Sequence, residues 1–133
     1  MAATDGISAA APDFPEPATA YASAPGQVKE IGWVAGEARR RPFGTGSSRE
    51  YWLRKAALVD RIALEWETTH SPEAASDAAQ SAADAALQLI EFDELHGQSS
   101  GQGTIRFSDA IVCAGYRAYV RKEYLAWISA QRS

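Results

Sequence analysis

The stretch from Ser71 to His96 limits the fold more than any other part of the chain. It reads S-P-E-A-A-S-D-A-A-Q-S-A-A-D-A-A-L-Q-L-I-E-F-D-E-L-H. Alanine has the best intrinsic helix propensity, so this segment has one regular structure open to it. Its start is marked by Ser71 as N-cap, Pro72 in the first turn and Glu73 beside the positive helix end. Ala75, Ala78, Ala79, Ala82, Ala86, Leu89 and Ile90 fall on one face, and Asp77, Gln80, Ser81, Asp84, Gln88 and Glu91 on the other. A contact face of alanines lets a neighbouring helix come close. A helix is predicted over about 72–95, ended by Gly97, with the glycine-rich 97–103 segment as a link.

Two more helices follow from the same period. Ser47 and Glu50 stand in S-x-x-E relation, the pattern of a reciprocal capping box. Beyond them Trp52, Ala56, Val59, Ala63 and Trp66 make one stripe, widened by Tyr51, Leu58 and Ile62, while Leu53, Ala57 and Leu64 make a second. This predicts a helix over about 48–68 that packs on two sides. A third is expected over about 109–130, starting at Ser108, with Val112, Tyr116, Tyr119, Val120, Tyr124 and Trp127 as a broad aromatic face. Val28, Ile31, Val34 or Ala35, and Ala38 also recur at helical spacing. They predict a shorter helix over about 27–40, weakened by Gly32 and Gly36 and stopped before Pro42. No strand-like alternation occurs. The expected fold is all-α: an antiparallel three-helix bundle, or a four-helix one if the 27–40 helix joins it. Residues 28–133 would form the bundle domain. Residues 1–27, rich in Ala, Pro, Ser and Thr, read as a disordered tail.

Composition narrows the function classes. With 133 residues the chain is sized for one domain. Cys113 is the only cysteine, so neither an intrachain disulfide nor a cysteine metal cluster can form. The start lacks the basic residues and apolar run of a signal peptide, and no apolar stretch approaches the ~20 residues that span a bilayer. A cytoplasmic protein is expected. The net charge of −4 is unevenly spread: residues 71–103 carry six acids and no Lys or Arg, between two mildly basic segments.

Several constellations invite a chemical reading. Arg39, Arg40 and Arg41, with Arg49, Arg54, Arg117 and Arg121 and the interleaved tyrosines of Y-R-A-Y-V-R-K-E-Y, could contact phosphates and stack on bases. A helix-turn-helix is excluded, because its recognition helix would be the acidic 72–95 segment, of like charge to the phosphates. The competing explanation is that these bases neutralise that acidic helix within the fold. The R-P-F-G-T-G-S-S-R stretch lacks the lysine and spacing of a P-loop, and a glycine hinge with a helix cap accounts for it. Asp93-x-x-His96 is half of a di-metal helix motif without its counterpart. His70 and His96 lie about 39 Å apart along one helix and cannot share a metal. Cys113 sits among apolar neighbours as a small buried hydrophobe. Asp60 falls between the two apolar strips of its helix, which predicts burial in an ion pair with Arg117 or Arg121.

No catalytic site, cofactor or metal emerges, and no enzyme activity is expected. The surplus of apolar surface on the first and third strong helices points instead to a protein–protein interaction or regulatory adaptor module, one that self-associates or docks a partner helix. Trp52, Trp66, Tyr119, Tyr124 and Trp127 are the expected partner contacts, since aromatics dominate interface energetics. The alternative is a nucleic-acid-associated regulator using Arg39, Arg40, Arg41, Arg117 and Arg121.

Overall fold

A computed structural model describes residues 14–41, 48–96 and 112–132, without the side chains of residues 112–114. Five helices pack together: α1 (Pro17–Ala20), α2 (Gln27–Arg40), α3 (Arg49–Thr69), α4 (Pro72–His96) and α5 (Val112–Arg132). No strand occurs among the described residues. Helices α2, α3 and α4 lie where the apolar period places them. The expected start of α5 at Ser108 lies outside the described residues.

The α3–α4 hairpin forms the centre. Ser48, in extended backbone, caps α3 by accepting from the Tyr51 N–H at 3.3 Å. The capping serine is therefore Ser48; Ser47 lies outside the described residues, and Glu50 turns to Arg54 instead. At the other end the hydroxyls of Thr68 and Thr69 bond back to the Glu65 carbonyl. His70 leaves the helix in extended backbone with its ring stacked on Trp66, centroids 3.9 Å apart. Ser71 then caps α4, its hydroxyl accepting from the Ala74 N–H at 3.2 Å. So short a turn returns α4 antiparallel to α3, and Arg49 at the start of one reaches Asp93 at the end of the other.

The core joins Leu53, Ala56 and Ala57 of α3 to Ala85, Ala86, Leu89 and Ile90 of α4 and to Tyr119, Val120, Tyr124 and Ile128 of α5. Among the described residues, helices α3 and α4 share the most extensive contact. Their facing alanines are what permits it. The buried face of α3 takes Ala56 and Ala63 from the first strip, Leu53 and Ala57 from the second and Asp60 from between them, while Trp52, Val59, Ile62 and Trp66 sit half-buried on its flank. The arginines of α5 that reach Asp60 turn this side of the helix inward.

The segment before α2 differs from the tail expected over residues 1–27. Residues 1–13 lie outside the described residues, but from Pro17 the chain is docked. Ala20 is fully buried, Ala24 packs on the core, and the Tyr21 ring meets Tyr124 edge-on at 5.4 Å. A proline-rich composition hid this, because two aromatic rings and a hydrogen bond decide it rather than a repeating pattern.

Candidate functional site

Four acidic side chains that carry charge in water are almost fully buried: Glu30, Asp60, Asp93 and Glu123. Burying a carboxylate is expensive unless it is paired and hydrogen-bonded. Arginines do this at each one. Asp60 accepts from Arg117 Nε at 2.5 Å, from Arg121 at 2.8 and 2.9 Å, and from the Tyr21 hydroxyl at 2.6 Å. Arg49 grips Asp93 with two parallel bonds of 2.7 and 2.8 Å and reaches Glu123 at 2.7 Å, while Tyr119 donates to Asp93 at 2.6 Å. Arg54 holds Glu30 across the α2–α3 seam and Glu50 along its own helix, with Trp33 3.8 Å beneath its guanidinium.

The protonation of these groups follows from their surroundings. Burial first, and the Asp60 carboxylate second, push the Tyr21 hydroxyl far above the usual tyrosine range. Burial also raises Tyr124, helped by the charge of Glu30. Hydrogen bonds donated to Asp93 hold Arg49 above its ordinary value against the opposing effect of burial. For Arg54 and Arg121 burial favours the neutral form, and their bonds to Glu30 and Glu50 or to Asp60 more than offset it. Each carboxylate of the three clusters is paired with an arginine and all but Glu50 are buried, while Arg117 Nη2 is buried without a hydrogen-bond partner among the described residues. The clusters join helices.

This arrangement corrects the basic patch. Arg117 and Arg121 point inward to Asp60, with only 11% and 16% of their side chains exposed. Arg40 and Arg41 both pair with Glu37 of their own helix, leaving Arg39 as the exposed member of the run without such a contact. Arg49 reaches the acidic helix, as neutralisation within the fold requires, but the acceptor for Arg117 and Arg121 lies on α3. Residues 42–47 of the glycine-rich stretch and the side chain of Cys113 lie outside the described residues. Asp93 is taken up by Arg49 and Tyr119, and His96 stacks on Phe92 and bonds its carbonyl. Among the described residues no group of three or more His, Cys, Asp or Glu is placed to hold a metal, and no helix is long and apolar enough to cross a membrane.

The aromatic set divides. Tyr119 and Tyr124 are interior, 4% and 1% exposed, and cannot present a ring to a partner in this conformation. Trp52 and Trp127 are half-buried at the core's edge, with Trp52 edge-on to Tyr51 and Trp127 within 5.5 Å of the Arg54 guanidinium. Trp66 lines a surface groove. That groove, about 310 Å³, runs between α3 and α4 and is walled by Val59, Ile62 and Trp66 on one side and Asp77, Ala78 and Ser81 on the other.

Sequence reasoning missed Glu30, Asp93 and Glu123 as buried acids. A signal existed for two of them: Asp93 follows Leu89 and Ile90 by four and three residues, and Glu123 lies between Val120 and Tyr124, so both share a core face. It also assigned Asp77 and Ser81 to the solvent side, which is where they lie, without the means to see that they edge a groove.

Comparison of the chain with protein-family models, with curated proteins and with solved structures finds no match.

Proposed function

We propose that this helical bundle is a small protein–protein interaction or adaptor module whose docking site is the α3–α4 groove. The observation that carries the reading is the groove's composition and place. Val59, Ile62 and Trp66, spaced i, i+3, i+7, present an apolar wall beside small residues at an open surface. An amphipathic helix binds such a groove by its own i, i+3, i+7 side chains. The interior charge clusters support the same reading from the other side, since they tie the helices of the bundle to one another. A nucleic-acid role has less to rest on, because Arg117 and Arg121 are spent on Asp60.

Nile red, a neutral dye that brightens in apolar clefts, tests the groove. Titrated into dilute protein, it is expected to brighten saturably with the wild type. Ile62→Glu should abolish that signal. Ser81→Arg, at an exposed position that leaves the fold untouched, should weaken it. An undimmed signal in both variants, or none in the wild type, overturns the proposal.

A further inference from the structure

Helix α2 carries an apolar stripe on the side away from the core. Glu30 is buried against α3 through Arg54, and Trp33 lies under the same guanidinium, so these residues fix which face points inward. What remains outside is Val28, 84% exposed, Ile31, 47% exposed, and the exposed Gly32, with the half-buried Ala35 continuing the row. An amphipathic helix usually turns its apolar side to the core, so an apolar row left outside in addition to the inward Trp33 is unpartnered surface. Beyond it stand the exposed Arg39, Arg40 and Arg41, and Lys29 flanks its start.

This stripe and the α3–α4 groove are complementary in three respects. Val28, Ile31 and Ala35 are spaced i, i+3, i+7, as are Val59, Ile62 and Trp66, so each row spans about 10 Å at 1.5 Å per residue. Ala78 and Ser81 are small and leave room for larger side chains opposite them. The charges also match. Helix α4 holds Glu73, Asp77, Asp84 and further acids with no Lys or Arg, whereas the exposed end of α2 is basic. Opposed potentials of this kind orient a contact and exclude wrong registers.

Resting on the docking role proposed above, we infer that the groove's occupant is α2 of a second copy of this chain, seated by Val28 and Ile31 with the Arg39–Arg41 end over the acidic face of α4. The contact joins two different surfaces. It closes as a twofold dimer when each copy fills the other's groove, and otherwise extends head to tail.

Sedimentation of the full chain over a concentration series tests this. The wild type is expected to self-associate, less so as salt rises. The double substitution Val28→Glu with Ile31→Glu, at exposed positions, and separately Ser81→Arg, should each weaken association roughly tenfold or more. The decisive arm mixes the two variants: one retains the groove and the other the stripe, so a 1:1 complex should form between chains that do not associate alone. A wild type that stays monomeric throughout, or a mixture without complex, overturns the inference. Nile red keeps the two proposals apart. A Val28→Glu/Ile31→Glu chain that binds the dye leaves the groove standing as a docking site for another partner when self-association fails, and a chain that takes up no dye removes both.

Discussion

At the scale of the residue, Asp60 concentrates the chemistry of this molecule. One carboxylate, 1% exposed, accepts from two guanidinium groups and a phenol. Removing it leaves Arg121 without its carboxylate partner and Arg117 with only Glu67, 3.8 Å away, in a largely buried site. Asp60→Ala is therefore expected to lower the unfolding free energy by about 3–5 kcal/mol, read from urea denaturation. Tyr21 offers a gentler probe with a pH signature. Its hydroxyl is raised far above the unfolded value of about 10, so its contribution is whole below that pH and is lost as pH rises beyond it. Stability should fall through the alkaline range, and Tyr21→Phe should flatten that fall while costing about 2 kcal/mol at neutral pH. An unchanged alkaline slope in the variant would show that Tyr21 does not titrate with unfolding.

At the scale of the element, helix ends and faces respond separately. Helix α2 tolerates Gly32 and Gly36 although each lowers its intrinsic stability, and a β-carbon at either would meet nothing within 4 Å. Gly36→Ala is accordingly expected to stabilise by about 0.5–1 kcal/mol, measured by thermal or urea unfolding. Helix α4 behaves oppositely, for its alanines are the contact surface itself. Leu89 is fully buried among them, and Leu89→Ala should cost about 3 kcal/mol because the close-packed seam has little freedom to collapse around the cavity. Helix α3 shows how an element's orientation is set from outside it. Its apolar strips allow more than one rotation about its axis, and the arginines of α5 select the one that buries Asp60.

At the scale of the whole molecule, each ionic cluster bridges a different set of helices. Glu30–Arg54 joins α2 to α3, Asp60 joins α3 to α5, and Arg49 ties α3 to Asp93 on α4 and Glu123 on α5. Alanine-rich faces slide past one another at small cost, so paired charges at fixed positions are a means of choosing register. Such choice does not require net stabilisation. Replacing the triad together, as Asp60→Leu with Arg117→Met and Arg121→Met, should restore most of the stability that Asp60→Ala removes, since no charge is left unpaired. A triple variant as unstable as Asp60→Ala, compared by the same urea titration, would mean that the triad contributes net binding energy between helices.

Local rules in the sequence determined the helices: the period of the apolar residues, serine caps and proline at the start of α4 depend on neighbours a few positions away, and so they placed α2, α3 and α4 within a residue or two. The burial of Asp60 was legible for the same reason, from its place between two apolar strips. Only the tertiary structure decided which groups meet across the chain. Tyr21 and Asp60 are 39 positions apart, Arg49 and Glu123 are 74 apart, and the groove exists only because Val59–Trp66 is set against Ala78. No periodicity encodes such pairs. They follow from how the helices are rotated against one another in the packed bundle.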